Sequence, residues 1–543
     1  MIYRLRDMKT KRLLILLVLL LMAACPLFSQ GTGGTDFWMA FMPNFEEPDH
    51  PVTLNLIVTA KQASIGTVTN PRTGWTTSFT VEAASATTIN IPREEAYFEF
   101  ESDCILDNVF HIECKDTIML YASNFRDYSF DAFNVLPAHL LGSDYILQVY
   151  PPNSGTGHEG LSSEFSVVAL EDGTTVEIDL ACDSHNGHLA HEPFTVALDA
   201  GQSYQVQSSI YSDGELTGTR IAAIDGKPIA VFGGDRVCHI PWHYDEAMDA
   251  IYEQMLPIDY WGTQFVATPT MLRSVDRVKI TALNDNCQVF IDGALQATIG
   301  AAETFEFEIR ENHPMTSAYF IETSEPALVY LYIPSAGYEN YSGAYYGDPA
   351  MVMLAPLEST IRQATFPSFI ESSHCSMVYI NIVAETQGVA GMILDGQSIA
   401  SSFMPVPGNP NYSFARMGLN SAAHHTLLNA EGGFLAYTYG LGTCESYAFS
   451  LGGNFEYHPV CVPENKAITT MAFPNPVNSL LTIEGHGITA IRIIDAMGLE
   501  MKKILCSPAE SVILDVSDLP QGIYFAEISA TIGKSVKRLV VAR

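Results

Sequence analysis

The stretch Val278–Gly293, VKITALNDNCQVFIDG, decides the fold class. Val278, Ile280 and Ala282 alternate with Lys279 and Thr281, the period of a strand with one buried face. Asn284-Asp285-Asn286 breaks the run, a second strand begins at Cys287, and Asp292-Gly293 is a hairpin-turn dipeptide. The same order recurs along the chain. Opening strands are VTLNLIVTA from Val52, FSVVALEDG from Phe165, VKITALNDN from Val278 and VYINIVAET from Val378, spaced 113, 113 and 100 residues apart. A strand with an aromatic near its start follows (SFTVEAAS, PFTVALDA, TFEFEIRE, YSFARMGL), and an apolar strand closes each unit (DTIMLYASNF, KPIAVFGGD, EPALVYLYI, GGFLAYTYG). That period is too long for a propeller blade and suits a small sandwich. Helical periodicity is nearly absent after residue 30. The expectation is an all-β chain with about four related β-sandwich-like units in tandem, about 52–126, 164–236, 276–334 and 377–441.

Within that repeat, Lys227–Phe232 reads as a core strand ending at a Gly233-Gly234 turn. Beyond it lie Asp235, Cys238, His239, Trp242, His243, Asp245 and Asp249, residue types from which nucleophile and metal sites are built. Adjacent residues on an extended segment point to opposite faces, so His239 is badly placed to activate Cys238, which leaves His243. His239 and His243 share one side only on a helix, and Pro241 between them opposes one. His185, His188 and His191 fall in a polar, Gly-containing segment that reads as an exposed hairpin loop, and His424-His425 as a strand pair with one ring in and one out. No catalytic residue, metal or cofactor is expected. The best recognition candidates are Tyr338, Tyr341, Tyr345 and Tyr346 in SAGYENYSGAYYGDP, where rings among Gly, Ser and Asn suit an adaptable loop.

Composition narrows the function classes. The 543 residues carry a formal net charge of −34, and residues 31–463 hold 14 basic against 52 acidic residues. Such a surface repels nucleic acid and anionic lipid. Arg4, Arg6, Lys9, Lys11 and Arg12 precede the apolar run Leu13–Ala24, which is too short to span a bilayer and suits a secretory signal over 1–29. One reading cuts before Gln30. The other takes Leu21-Met22-Ala23-Ala24-Cys25 as a lipobox and leaves a lipidated Cys25. In that oxidising context nine further cysteines remain, an odd number, with Cys104 and Cys114 the best local disulfide pair and Cys238 a further candidate. After the body (30–455) and a linker (456–470), residues 471–543 form a separate module with a bend at Phe473-Pro474-Asn475-Pro476 and about seven short strands.

Phe473-Pro474-Asn475-Pro476, Ile491-Arg492-Ile493-Ile494-Asp495 with Gly498, Leu519-Pro520-Gln521-Gly522-Ile523-Tyr524 and Lys537-Arg538-Leu539-Val540-Val541 resemble the type A C-terminal sorting domain of the type IX secretion system of Bacteroidetes. The resemblance implies an Ig-like sandwich read by the export machinery, with Pro474, Asn475, Pro476, Gly522, Tyr524 and Lys537 carrying its motif. Gly522 is expected to permit a tight turn. The body, roughly residues 34–453, is similar to the IgGFc-binding-protein N-terminal domain through Gly34-Thr35-Asp36-Phe37-Trp38, Asp131-Ala132-Phe133-Asn134-Val135-Leu136-Pro137, Leu141-Gly142-Ser143-Asp144-Tyr145, Leu216-Thr217-Gly218-Thr219, Lys227–Phe232, Glu253-Gln254-Met255-Leu256-Pro257 and Trp261-Gly262. That family places a second cysteine where this chain has Met248, which leaves Cys238 to pair with Cys182 or Cys287 or to stay a thiol. These resemblances imply an exported, non-enzymatic binding or adhesion protein with an extracellular protein or glycan ligand, anchored at the outer-membrane surface rather than spanning it. A structural component of a surface layer is the alternative, and a secreted hydrolase comes after it.

Overall fold

The computed structural model describes residues 31–455 and 470–542, apart from 46–49, 97–100, 153–161, 210–213, 243, 245–246, 312–316, 339–345, 370–374, 421–422, 444, 496–499, 518 and 531–532. Cys25, Tyr341, Tyr345, His243, Asp245 and most of the linker lie outside the described residues. The chain divides into Met1–Glu456 and Tyr457–Arg543, and each is taken by itself.

The body is all-β and antiparallel. Its first and third units are seven-stranded sheets built on long strands, Val109–Arg126 and Tyr319–Ile333. Its second and fourth units each split into a five-stranded and a four-stranded sheet. All four share one motif, in which the opening strand pairs with the closing strand and the closing strand pairs with an inner strand. The inner strands are Ser129–Val135, Asp249–Gln254, Ala350–Met353 and Glu445–Ser450. All four lie outside the unit boundaries expected from the sequence. The boundaries also misplace Cys104–Leu106, which pairs with Ser203–Gln207 of the second unit. Cys104 and Cys114 therefore sit in different sheets, and Cys104, Cys114, Cys182, Cys238 and Cys287 all stand as thiols. The disulfide expectation for Cys104, Cys114 and Cys238 is corrected accordingly.

The units close on themselves instead of running out in a line. Ser129–Val135 packs against both Asp249–Gln254 and Glu445–Ser450, and Ala350–Met353 packs against the same two strands. The first and fourth units share a core in which Ile57, Tyr121, Phe130 and Ala132 meet Ile380, Ile382, Tyr447 and Phe449. Every residue of the four inner strands is buried. A strand buried on both faces cannot turn its polar side chains to water, so each must find a partner inside.

Those partners tie the ring. Among the described residues no backbone ladder joins one inner strand to another. Instead, Asp131 Oδ2 accepts from the Tyr252 N–H at 2.8 Å, Gln254 Oε1 accepts from the Leu136 N–H at 2.7 Å, and Glu445 Oε1 accepts from the Tyr128 N–H at 3.1 Å. The Asp348 N–H donates to Ser446 Oγ at 3.1 Å, and Asp131 and Glu253 also take the N–H groups of Ala448 and Met353. Carboxylates here do the work of a sheet ladder.

Two glycines read as a turn prove to be strand. Ile229–Cys238 runs unbroken through Gly233-Gly234. A Cβ at Gly234 would lie 1.9 Å from the Ile251 carbonyl oxygen, and one at Gly233 would lie 2.3 Å from Leu147 Cδ1. Glycine is needed because the inner strand and Leu147 come so close. A second glycine signature marks the units. Gly34, Gly142 and Gly262 pack on Pro137, Pro257 and Pro356, each proline two or three residues past the end of an inner strand.

The tail is one five-stranded antiparallel sheet rather than seven short strands. Leu480–Asp495 and Glu500–Asp515 are continuous 16-residue strands. Register shifts between Glu484 and Ile488 bend the pair, so Leu481, Ile483 and Leu514 share one apolar core with Ile491, Ile493, Ile528 and Leu539. Gly522 does not make a positive-φ turn and opens the strand Gly522–Ala530.

Candidate binding face

The ring ties pair early residues with early ones and late with late: Phe130 with Asp249, Asp131 with Tyr252, Leu136 with Gln254. The inner strands therefore run parallel, and the four turns that lead into them gather at one end. The second and third turns are tied directly. The Ile240 N–H donates to Ser335 Oγ at 3.0 Å, and the Ser335 N–H donates back to the Ile240 carbonyl at 2.7 Å. The third and fourth meet through the Gly347 N–H and the Gly442 carbonyl at 2.8 Å. Arg273 is buried beneath the third turn, and its fork donates to the carbonyls of Tyr346, Pro334 and Ser335 at 2.7, 2.6 and 2.9 Å.

Aromatic side chains crown these turns. Tyr128 is 51 % exposed, Trp242 38 % and Tyr346 40 %. Half-buried Tyr244 meets Tyr338 edge-on at 5.3 Å, and the Tyr338 hydroxyl donates to Glu308 Oε1 at 3.2 Å. Of the four tyrosines singled out in the sequence, Tyr338 and Tyr346 thus stand at this end with Tyr128, Trp242 and Tyr244, which sequence reasoning did not group with them. The signal was available, because each follows a closing strand at a turn into an inner strand. Recognising it required knowing that the inner strands exist.

Beneath the turns the chemistry is acidic and dry. Burial raises the carboxyls of Asp131, Asp235, Asp249, Glu253 and Asp348 well above the ordinary range, and raises Glu164 to about 8. Cys238 is buried as well, and desolvation followed by Asp235, Asp249, Asp348 and Asp131 drives its thiol up. A nucleophilic cysteine needs the opposite surroundings.

The other histidine candidates are accounted for locally. His188 stacks on Phe194 at 3.7 Å, and His191 faces Asp179 at 3.9 Å. His425 is buried with Nδ1 at 2.7 Å from Asp395, while His424 is half-buried. No group of three potential ligands is placed to hold a metal ion among the described residues. No helix there is long and apolar enough to cross a membrane.

A family model described as IgGFc binding protein matches residues 131–440. The chain belongs to the IgGFc binding protein family. The match begins at Asp131 in the first inner strand, so the opening sheet of the ring precedes the family's own span, which is narrower than the roughly 34–453 expected. Residues 471–542 match a secretion system C-terminal sorting domain, so the chain is exported to the cell surface or beyond and its tail is what the type IX machinery reads. In that tail, Asn475 is clamped between the Arg538 carbonyl and the Val540 N–H, both at 2.8 Å. The Tyr524 hydroxyl closes on the Pro520 carbonyl at 2.9 Å, and Lys537 lies opposite Ala526 in the last hairpin. No curated protein matches the chain. Among solved structures, the BSP domain of a biofilm associated protein is 6 % identical with a TM-score of 0.15, covering 52 % of this chain and 82 % of that one. Dimeric latent PorU from Porphyromonas gingivalis is 11 % identical with a TM-score of 0.12, covering 58 % and 31 %. At those scores neither carries an argument.

Proposed function

We propose that this member of the family is a non-catalytic binding protein at the cell surface, and that its ligand, an extracellular glycan or protein, docks on the turns at one end of the ring. The observation that carries the reading is the placement of Tyr128, Trp242, Tyr244, Tyr338 and Tyr346 on turns that lead into the inner strands, the third of which Arg273 holds from below. Flat rings on a rigid base give large contact area at little entropic cost, and they suit sugar faces as well as peptide side chains. The body's acidity disfavours polyanions, so neutral or basic ligands fit best. Cys238 supplies no activated nucleophile, in keeping with a binding role.

The test is a glycan and protein-ligand screen of the mature chain, repeated with Trp242→Ala and Tyr346→Ala. Saturable binding weakened tenfold or more by either change, at unaltered melting temperature, supports the reading. Binding indifferent to both changes places the site elsewhere. Ordered self-assembly without ligand would replace the proposal with a surface-layer role.

A further inference from the structure

The tail breaks its own alternation on one outer face. Met471–Phe473 and Glu500–Asp515 flank the first half of Leu480–Asp495, one on each side. Leu481, Ile483 and Leu514 point into the core and are at most 1 % exposed. The residues between them point outward, where a sheet with one face in water carries polar side chains. Phe473, Thr482 and Ile513 form a single row across the three strands, and Leu480 lies two places along on the same face, opposite Asp515. Phe473 is 42 % exposed, Leu480 54 % and Ile513 65 %. Three large apolar side chains thus face water around one threonine.

Apolar side chains scattered singly over a surface are ordinary, whereas neighbours in register on a rigid base mark a contact surface. The base here is rigid. Asn475 is clamped to the Arg538 carbonyl and the Val540 N–H, the Val477 N–H donates to the Val540 carbonyl at 2.8 Å, and the Ala542 N–H donates to the Val477 carbonyl at 2.9 Å. Phe473 leads straight into that pinned segment, so the apolar row is continuous with the Pro474-Asn475-Pro476 motif. Charge offers no other handle. Residues 471–543 hold seven basic and seven acidic residues, against 14 and 52 in residues 31–463. A module without net charge is not steered to a partner by its overall field, so apolar area and shape at contact must distinguish it.

We infer that Phe473, Leu480 and Ile513 form the face on which the export machinery grips the tail, through an apolar surface of its own. The inference rests on the reading of residues 471–542 as a sorting domain and adds the place of contact. An apolar partner surface gains nothing from the strongly acidic body and takes hold of the chain at its tail. Burying the row removes apolar area from water without stripping any charged side chain of its hydration, which suits a grip that must be made and later released.

The test is surface display of the full chain in cells that carry the type IX system, with thermal melting of the same variants. Leu480→Thr combined with Ile513→Thr keeps side chains that suit a strand and removes most of the apolar row. Display should fall at least fivefold, with the chain held in the periplasm and the tail's melting transition unmoved. Ile513→Val alone should display like the wild type. A folded double variant displayed at the wild-type level overturns the face. If the double variant melts early, a photo-crosslinking residue in place of Ile513 decides the matter. Crosslinks to a component of the type IX machinery, identified by mass spectrometry, are expected; crosslinks only to other copies of the chain, or none, overturn the face. Removing 471–543 separates the two failures. Display lost on removal but kept in the double variant costs only the face, whereas display that survives removal sinks the sorting assignment and the face with it.

Discussion

Body and tail both close antiparallel sheets over apolar cores, but they treat polar side chains in opposite ways. The body buries Asp131, Asp249, Glu253 and Glu445 and uses carboxylates to join strands that share no ladder. Among the described tail residues no carboxylate is buried, and the core is apolar throughout. The same residue type answers accordingly. Burial drives Asp131 up, whereas the Ser517 hydroxyl and N–H, with Lys502 behind them, hold the exposed Asp515 down. Two sheets can share a dry core with side-chain shape alone. Where the inner strands of four units meet without a shared ladder, polar side chains must reach across to the orphaned N–H groups.

The comparison breaks most completely if the two parts do not separate. Removing 471–543 should abolish surface display and strand the chain in the periplasm, with the body's melting temperature unchanged. Surface display of the truncated chain in fractionated cells would sink the sorting assignment. Next in size is Gly234→Ala. The added methyl meets backbone, so a loss of about 3 kcal/mol or more is expected in denaturant unfolding. Gly522→Ala in the tail, whose nearest neighbour would be 3.6 Å away, should cost within about 0.5 kcal/mol.

Asp131→Ala comes third. It leaves the Tyr252 and Ala448 N–H groups buried without an acceptor, at about 1–3 kcal/mol each. Asp131→Asn keeps an acceptor oxygen and should recover a good part of that loss. Equal losses in the two variants would show that the carboxylate acts as a space-filler and not as a tie. Smallest is Tyr524→Phe, which removes the hydroxyl's bond to the Pro520 carbonyl and should lower tail stability by about 1 kcal/mol. An unchanged melting transition of the tail would show that the bond contributes nothing.

How much was legible follows from the same contrast. Alternation in Val278–Gly293 and its sisters exposes a half-buried strand directly, because one face must be apolar. Phe130-Asp131-Ala132-Phe133-Asn134 does not alternate, because both of its faces are buried and each carries an apolar and a polar residue, so a period of two does not reveal the strand. Gly233-Gly234 reads as punctuation for a similar reason. A turn and a close approach both demand glycine, and only the position of Ile251 distinguishes them. The aromatic turns were half visible. Tyr338 and Tyr346 cluster in sequence, whereas Tyr128 and Trp242 join them only across the ring.

The sorting tail and the all-β class were legible in the sequence alone, since sorting motifs and strand period are local properties of the chain. Tertiary structure decided that the units close into a ring, that Cys104 and Cys114 lie in different sheets, and that carboxyls of one unit take N–H groups of another. Those are relations between strands of different sheets, whatever their residues' spacing along the chain. They arise from strands packing edge to edge in the absence of water, a circumstance that no local window of sequence records.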